Sequence, residues 1–121
     1  KDIKAMQSIS KISAQCFTDG IFSLKNGKPI IKLIHIDGDW EKLTGYTAKE
    51  TIKMNNIIGK IQIIHNEKEY INRMYPSGLT EATHQGSWTL KHKNGHLLKI
   101  YGISWIDYTE NKFKSAFSES E

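Results

Sequence analysis

Two short apolar segments flank a turn in the first third of the chain. Residues 21–24 and 29–36 are rich in Ile, Leu and Phe, a composition typical of partly buried strands. Between them, Asn26 and Gly27 accept the positive φ angles of a tight hairpin turn. Residues 37–38, Asp and Gly, are suited to closing the second strand. This region therefore predicts an antiparallel hairpin.

A second group of strands is predicted in the last third of the chain. Residues 87–92 and 96–108 flank a Lys-Asn-Gly turn at residues 93–95. Residues 113–117 can return beside them as a fifth strand. We expect all of these strands to be antiparallel, because each connection is short.

The first residues of the chain have the spacing of an amphipathic helix. Residues 1–17 place apolar side chains, Ile9 and Ile12 among them, on one helical face, and this face needs a surface to lie against. We expect residues 19–20, Asp and Gly, to end the helix. The domain itself is predicted over residues 18–118, and residues 119–121 form a polar tail or linker.

The middle of the chain is predicted to be helical or irregular. Asn66 can cap a helix that carries Tyr70, Ile71 and Met74 on one face. Helices that lie between strands 2 and 3 indicate an α+β fold with a five-stranded antiparallel sheet.

Residues 37–50 contain the most specific local signal. Thr47 and Glu50 have the spacing of a capping box, which predicts a helix that begins at Ala48. Gly45 is placed to end the preceding turn in a left-handed conformation. We also expect the Asp39 side chain to cap a short helix that begins at Trp40.

This run resembles the PAS domain family, the sensory box found in bacterial signal-transduction proteins. PAS domains commonly combine a polar turn, a buried aromatic residue, Leu-Thr-Gly-Tyr, then Ser or Thr and a Glu. The resemblance covers about residues 20–118 and includes Ile64-His65 and Asn94-Gly95 further along. The matching residues of the run are Trp40, Leu43, Thr44, Gly45, Tyr46, Thr47 and Glu50.

Composition limits the classes of partner. The net charge is +4, but 17 basic residues are scattered among 13 acidic ones, which favours a solvated surface over a nucleic-acid site. A nucleic-acid binder would show steeply salt-dependent affinity. No apolar run is long enough to span a membrane, and the single cysteine, Cys16, fits a reducing compartment, so a cytoplasmic location is expected.

Catalytic, metal and cofactor chemistry find little support in the residues. The five histidines lack metal-site spacing, and no nucleophile with a base stands out, so we expect no enzyme activity from this domain. Some PAS domains hold haem through one His, for which His65 or His84 can be nominated. Flavin-binding PAS domains use a reactive Cys in the helical segment and amides on central strands, where this chain has no Cys and carries Leu90 and Ile100. Flavin and haem are therefore both predicted to be unlikely.

Alternation along residues 97–108 separates two faces. In the PAS register, one face points under the helices, where Gly102 and Ser104 leave space for a small molecule. Alternatively, Trp40 and Trp88 fill this space and leave a solid core. The candidate ligand-binding residues are Tyr70, Met74, Trp88, Leu90, Ile100, Gly102 and Ser104.

The other face carries Tyr101, Ile103 and Trp105 and is too apolar to be left in water. The first helix, through Ile9 and Ile12, is the candidate cover, from the same chain or from a second subunit. These five residues are the predicted interface, and a homodimer is the expected assembly.

The PAS resemblance implies an input domain of a signalling protein, such as the sensor histidine kinase of a two-component system or a diguanylate cyclase. Such a domain binds a small ligand or a partner and relays the signal through its termini to an output domain. The alternative is a ligand-free PAS dimerisation or interaction module.

Overall fold

The computed structural model describes residues 13–120, which form one antiparallel sheet with three short helices against one face. Its strands stand in the order β2-β1-β6-β5-β4-β3, so the first and last long strands are neighbours in the middle. The elements are β1 Cys16–Lys25, β2 Lys28–Gly38, α1 Trp40–Thr44, α2 Ala48–Ile52, β3 Gln62–Ile63, α3 Glu67–Met74, β4 Glu81–Lys91, β5 Leu97–Asp107 and β6 Lys112–Glu119.

The predicted α+β class with an antiparallel sheet is confirmed, but the sheet has six strands instead of five. The additional strand is β3, whose two residues pair with β4. Two residues carry no alternation, so this strand has no sequence signal. β4 also begins at Glu81, ahead of the predicted start at Ser87, because its polar first half pairs with β5 as far as Asp107.

An amphipathic helix was predicted over residues 1–17. The structure describes only the last residues of this range, and there the prediction of a helix is wrong. Cys16 and Phe17 belong to β1, and Cys16 pairs with Gly38 on one side and Phe117 on the other. Every second residue from Cys16 to Phe22 is buried, whereas Phe17, Asp19 and Ile21 are more exposed, so the spacing here is that of a strand. The remainder of the predicted helix, with Ile9 and Ile12, lies outside the described residues.

Both hairpin turns form where they are predicted. Asn26 and Gly27 have φ angles of 54° and 76° between β1 and β2, and Gly95 has a φ of 104° between β4 and β5. At the other end of the chain, Glu119 still pairs with Ile100, so β6 reaches into the predicted tail.

The capping box is present in full. The Glu50 amide donates to the Thr47 hydroxyl at 3.0 Å, and the Thr47 amide donates to the Glu50 carboxylate at 2.8 Å. Gly45 ends α1 in a left-handed conformation with a φ of 81°. Asp39 is the N-cap residue of α1, but its side chain makes no capping hydrogen bond, so that part of the prediction is wrong.

An aromatic cluster closes one end of the core. The Phe22 ring stacks on Tyr75 and on Phe113, with ring centroids 4.7 and 5.9 Å apart. The Tyr108 hydroxyl donates to the Met74 carbonyl at the end of α3. These contacts fix the end of α3 over the sheet and position the other side chains of this helix.

Candidate ligand-binding cavity

A cavity of about 380 Å³ lies between the inner face of the sheet and the helices. Trp40, Trp88 and Phe117 all line it, and the Phe117 ring centroid is 6.1 Å from that of Trp40 and 6.0 Å from that of Trp88. The two tryptophans therefore line the space instead of filling it. Small-molecule sites typically have volumes of about 300–1,000 Å³ and mostly apolar walls.

A row of polar side chains crosses four strands beneath this cavity. Thr18 is paired with Ser115, Ser115 with Ser104, and Ser104 with His84 in the register of the sheet. The hydroxyls of Thr18 and Ser115 are 2.5 Å apart and hydrogen bonded. All four residues line the cavity, which therefore has a polar floor beside aromatic and aliphatic walls.

Tyr70 on α3 carries a buried hydroxyl without a hydrogen-bond partner among the described residues. Burial raises the pKa of this phenol to about 12, and the nearby Gln62 amide acts in the opposite direction. Gln62 is thus close to the phenol, but no hydrogen bond of ordinary geometry joins them. Leaving a buried polar group unpaired costs about 1–3 kcal/mol. The site retains an unsatisfied group that a ligand can satisfy.

His84 on β4 is the second such residue. Its Nε2 atom is buried and has no partner within residues 13–120. Burial lowers the pKa of His84, and the positive charge of Arg73 lowers it further, so the ring is held in its neutral form. A neutral imidazole nitrogen can donate or accept one hydrogen bond, depending on the tautomer.

The described lining of the cavity carries positive charge and no negative charge. Arg73 lines it, whereas none of the described lining residues is an aspartate or glutamate. Sequence reasoning did not identify Arg73, Thr18 or Ser115 as ligand-binding residues, and it named His84 only as a possible haem ligand. The alternation of Phe113, Ser115 and Phe117 was an available signal, since it places Ser115 on the inner face.

The candidate ligand-binding residues separate into two groups. Ile100 is fully buried but does not line the cavity, and neither does Gly102. A Cβ atom at Gly102 would lie 2.2 Å from the Ala116 carbonyl oxygen, so this glycine allows close approach of β6 instead of opening space for a ligand. The five that do line the cavity are Tyr70, Met74, Trp88, Leu90 and Ser104.

The predicted interface lies on the opposite, outer face of the sheet. Tyr101 is 50% exposed, whereas Trp105 is 2% exposed. Ala14 and Phe17 pack against the cluster that contains Trp105, with Ile103 beside them. Residues at the very start of the described chain therefore cover the Trp105 end of this face, while the Tyr101 end is open.

Residues 13–120 contain neither a membrane-spanning helix nor a cluster of metal-ligating side chains. No helix in this part of the chain is long and apolar enough to cross a membrane. No group of three or more His, Cys, Asp or Glu side chains in the same range is arranged to hold a metal ion. Of the two nominated haem ligands, His84 lines the cavity and His65 lies in an adjoining cleft.

Comparison with known proteins gives matches in structure only. No family model matches the chain, and no curated protein matches it. The light-state structure of the blue-light photoreceptor Aureochrome1 LOV is 14% identical, with a TM-score of 0.61, over 100% of this chain and 90% of that one. A light-oxygen-voltage domain studied with a flavin analogue is also 14% identical, with a TM-score of 0.60, over 98% and 84%. The dark-state Aureochrome1 LOV structure is 12% identical, with a TM-score of 0.58, over 100% and 83%.

These matches overturn the prediction about flavin. That prediction relied on a missing cysteine and on apolar residues at two strand positions, yet structures with this fold include a LOV domain described with a flavin analogue. The prediction that flavin is an unlikely cofactor is therefore wrong.

The cavity can be tested for its fit to a flavin. Its volume and aromatic walls suit a flat ring system held without a covalent bond. Cys16, the only cysteine in the chain, is buried in β1 outside the cavity lining, and burial raises its thiol pKa to about 12. The residues present thus fit a noncovalently bound flavin and do not fit a thiol adduct.

At 12–14% identity, the matches establish architecture alone. They give no support to the bacterial setting that the resemblance implied. The chain has a PAS-type fold, of which the LOV domains are a subfamily.

Proposed function

We propose that this chain is a sensory domain that binds a small molecule in the cavity between the sheet and the helices. The observation that carries this proposal is the cavity itself, which combines aromatic walls with a polar floor. The unpaired polar atoms of Tyr70 and His84 strengthen it, because a bound molecule can supply their missing partners. LOV neighbours among the solved structures support a sensory role.

The ends of the domain are placed to relay a change in the cavity. The Gln15 amide donates to the Phe117 carbonyl at 3.1 Å, and the Glu119 amide donates to the Gln15 side chain at 2.8 Å. Thr18, three residues after Gln15, and Ser115, two residues before Phe117, line the cavity. A ligand that changes the hydrogen bond between Thr18 and Ser115 would act on the pair of strands by which the chain enters and leaves the fold.

The wider setting in this proposal follows the family resemblance. The domain would be the cytoplasmic input module of a sensor histidine kinase or a diguanylate cyclase, with an output domain attached. A homodimer through the outer face would bury Tyr101, which is 50% exposed, and Ile103. Light scattering of the purified protein measures this assembly directly.

Native mass spectrometry followed by denaturation tests the binding proposal. Flavin mononucleotide is the first compound to add, since one structural neighbour is described with a flavin analogue. Small heteroaromatic compounds complete the panel. We expect the wild-type protein to carry or take up a small molecule that denaturation releases.

A blocking variant and a matched control make this test specific. Ser104→Leu places a larger side chain at a buried position in the cavity and should abolish binding. Ser23→Leu makes the same change on β1 outside the cavity lining and should leave binding intact. Equal binding by both variants would show that the ligand sits elsewhere. A wild-type protein that binds no member of the panel and carries no small molecule would favour the ligand-free interaction module.

A further inference from the structure

Arg73 is the only arginine in the chain and lies where two concave regions meet. It lines the cavity, and it also lines an adjoining cleft of about 440 Å³. Gln62, Tyr70, Ser87 and Trp88 line both as well, so the cleft and the cavity share a boundary. Arg73 is solvent exposed on α3, and it forms none of the ion pairs found within residues 13–120.

The positive charge of Arg73 affects the pKa values of Tyr70 and His84, the two cavity residues with unpaired polar atoms within residues 13–120. It contributes, after burial, to lowering the pKa of His84, and it also acts on the Tyr70 phenol. A guanidinium, a phenol and an imidazole therefore belong to the same cavity lining, and Tyr70 and Arg73 are neighbours three residues apart on α3. All three can donate hydrogen bonds. The described lining of the cavity contains no carboxylate, and Glu69, which lines the adjoining cleft, forms no ion pair with Arg73 within residues 13–120.

Aromatic rings form another part of the cavity wall. Trp40 and Trp88 flank Phe117 at centroid distances of 6.1 and 6.0 Å. Such walls favour a flat aromatic ring. The volume of about 380 Å³ is near the lower end of the range for small-molecule sites, so the cavity suits a small aromatic molecule as well as the flat ring system of a flavin.

We propose that the ligand is a small aromatic carboxylic acid, bound as its carboxylate. The carboxylate would lie at Arg73, with Tyr70 and His84 as further donors, and the ring would lie against Trp40, Trp88 and Phe117. Arginine is suited to this role because its planar guanidinium matches the two oxygens of a carboxylate. This inference rests on the proposed function and adds the charge and chemical class of the ligand.

Matched sets of compounds test the charge requirement. Benzoate, phenylacetate, 3-phenylpropionate and indole-3-acetate are each compared with the corresponding amide, which is neutral, and the corresponding amine, which is cationic. Titration calorimetry with the full chain gives the affinities. We expect at least one acid to bind at least tenfold more tightly than its amide, and the amine to bind most weakly.

Variants test the assigned residues. Arg73→Gln should reduce affinity for the acid at least tenfold and leave affinity for the amide nearly unchanged. Lys42→Gln removes the same positive charge from an exposed position on α1 outside the cavity lining and should leave both affinities unchanged. Tyr70→Phe keeps the ring and removes one donor, so it should weaken binding of the acid by a smaller factor. Circular dichroism confirms that each variant is folded.

Two results would overturn the inference while the proposed function stands. One is equal binding of acids and their amides, which would show that the cavity takes neutral aromatic molecules. The other is binding of a flavin, or of a compound released from the purified protein, while no acid binds. If no small molecule binds at all, the proposed function fails together with this inference. An effect of Lys42→Gln as large as that of Arg73→Gln would show that only the net charge matters.

Discussion

The helices α1, α2 and α3 all pack on the inner face of the sheet. The segment from α1 to α2 and the segment from α3 to β4 differ, however, in how many of their buried polar side chains are hydrogen bonded. In the first segment, the Trp40 indole donates to the Thr51 hydroxyl at 2.9 Å, and the Thr51 hydroxyl donates to the Thr47 carbonyl at 2.8 Å. The Thr44 hydroxyl donates to the Trp40 carbonyl at 2.8 Å. Together with the capping box, these bonds satisfy each of these buried groups within the segment.

The segment from α3 to β4 leaves polar atoms of Tyr70 and His84 unpaired beside a cavity. An unpaired buried group lowers the free energy of unfolding, whereas a paired one contributes modestly to it. The hydrogen bonds of the first segment therefore stabilise the fold. The second segment leaves two polar atoms able to form hydrogen bonds with a ligand. Each of the following changes tests one side of this contrast against the other.

The largest effect is expected from the two tryptophans. Trp40 is 2% exposed and hydrogen bonded, so Trp40→Ala should lower the free energy of unfolding by about 3–5 kcal/mol. Trp88 is only half-buried and borders the cavity, so Trp88→Ala should cost less. Urea denaturation of both variants measures the difference. Equal losses would mean that the two segments support the fold equally.

A pair of nearly isosteric changes tests hydrogen-bond satisfaction. Thr51→Val leaves the buried Trp40 indole without its acceptor and should cost about 1–3 kcal/mol. Tyr70→Phe removes a hydroxyl that has no partner, so the ligand-free protein should be unchanged or more stable. Thermal and urea unfolding of both variants provide the measurement. A clear loss of stability in Tyr70→Phe would show that Gln62 holds the phenol after all.

The helix start of α2 should show a smaller effect. Thr47→Ala removes the hydroxyl that accepts from the Glu50 amide and should cost about 1 kcal/mol. Thr47→Ser keeps the hydroxyl and serves as the control, with a change close to zero. If Thr47→Ala unfolds at the same urea concentration as the wild type, the capping box does not contribute to stability.

The smallest effect concerns His84 and pH. Its pKa in the folded protein is below the ordinary value of 6.5, so the unfolded chain binds a proton there more readily as the pH falls. Stability contributed by neutral His84 is therefore present above that value and is lost as the solution becomes more acidic. From about pH 8 to about pH 5, the wild type should lose slightly more stability than His84→Gln. Identical pH profiles for the two proteins would show that burial of this ring has no energetic consequence.

Local features of the fold could be predicted from the sequence because a few neighbouring residues determine them. The turn at Asn26 and Gly27, the capping box at Thr47, the Asn66 cap and the alternation along β5 each depend on residues close together in the chain. The same reasoning correctly placed Tyr70 and Met74 on the buried face of α3. It misassigned Cys16 and Phe17, since their spacing fits a helix as well as a strand and only pairing with β2 and β6 decides between them.

The set of side chains that line the cavity depends on the tertiary structure. Its polar floor joins four strands, and the bonded pair Thr18 and Ser115 is separated by 97 residues, so only the register of the sheet brings these side chains together. Close approach of β6 likewise determines the role of Gly102, which sequence reasoning assigned to the cavity. The sequence alone determined turns, caps and alternating faces, because these depend on local backbone geometry. Which polar groups meet, and which stay unpaired, depends on strand pairing across the whole chain, and that pairing exists only in the folded protein.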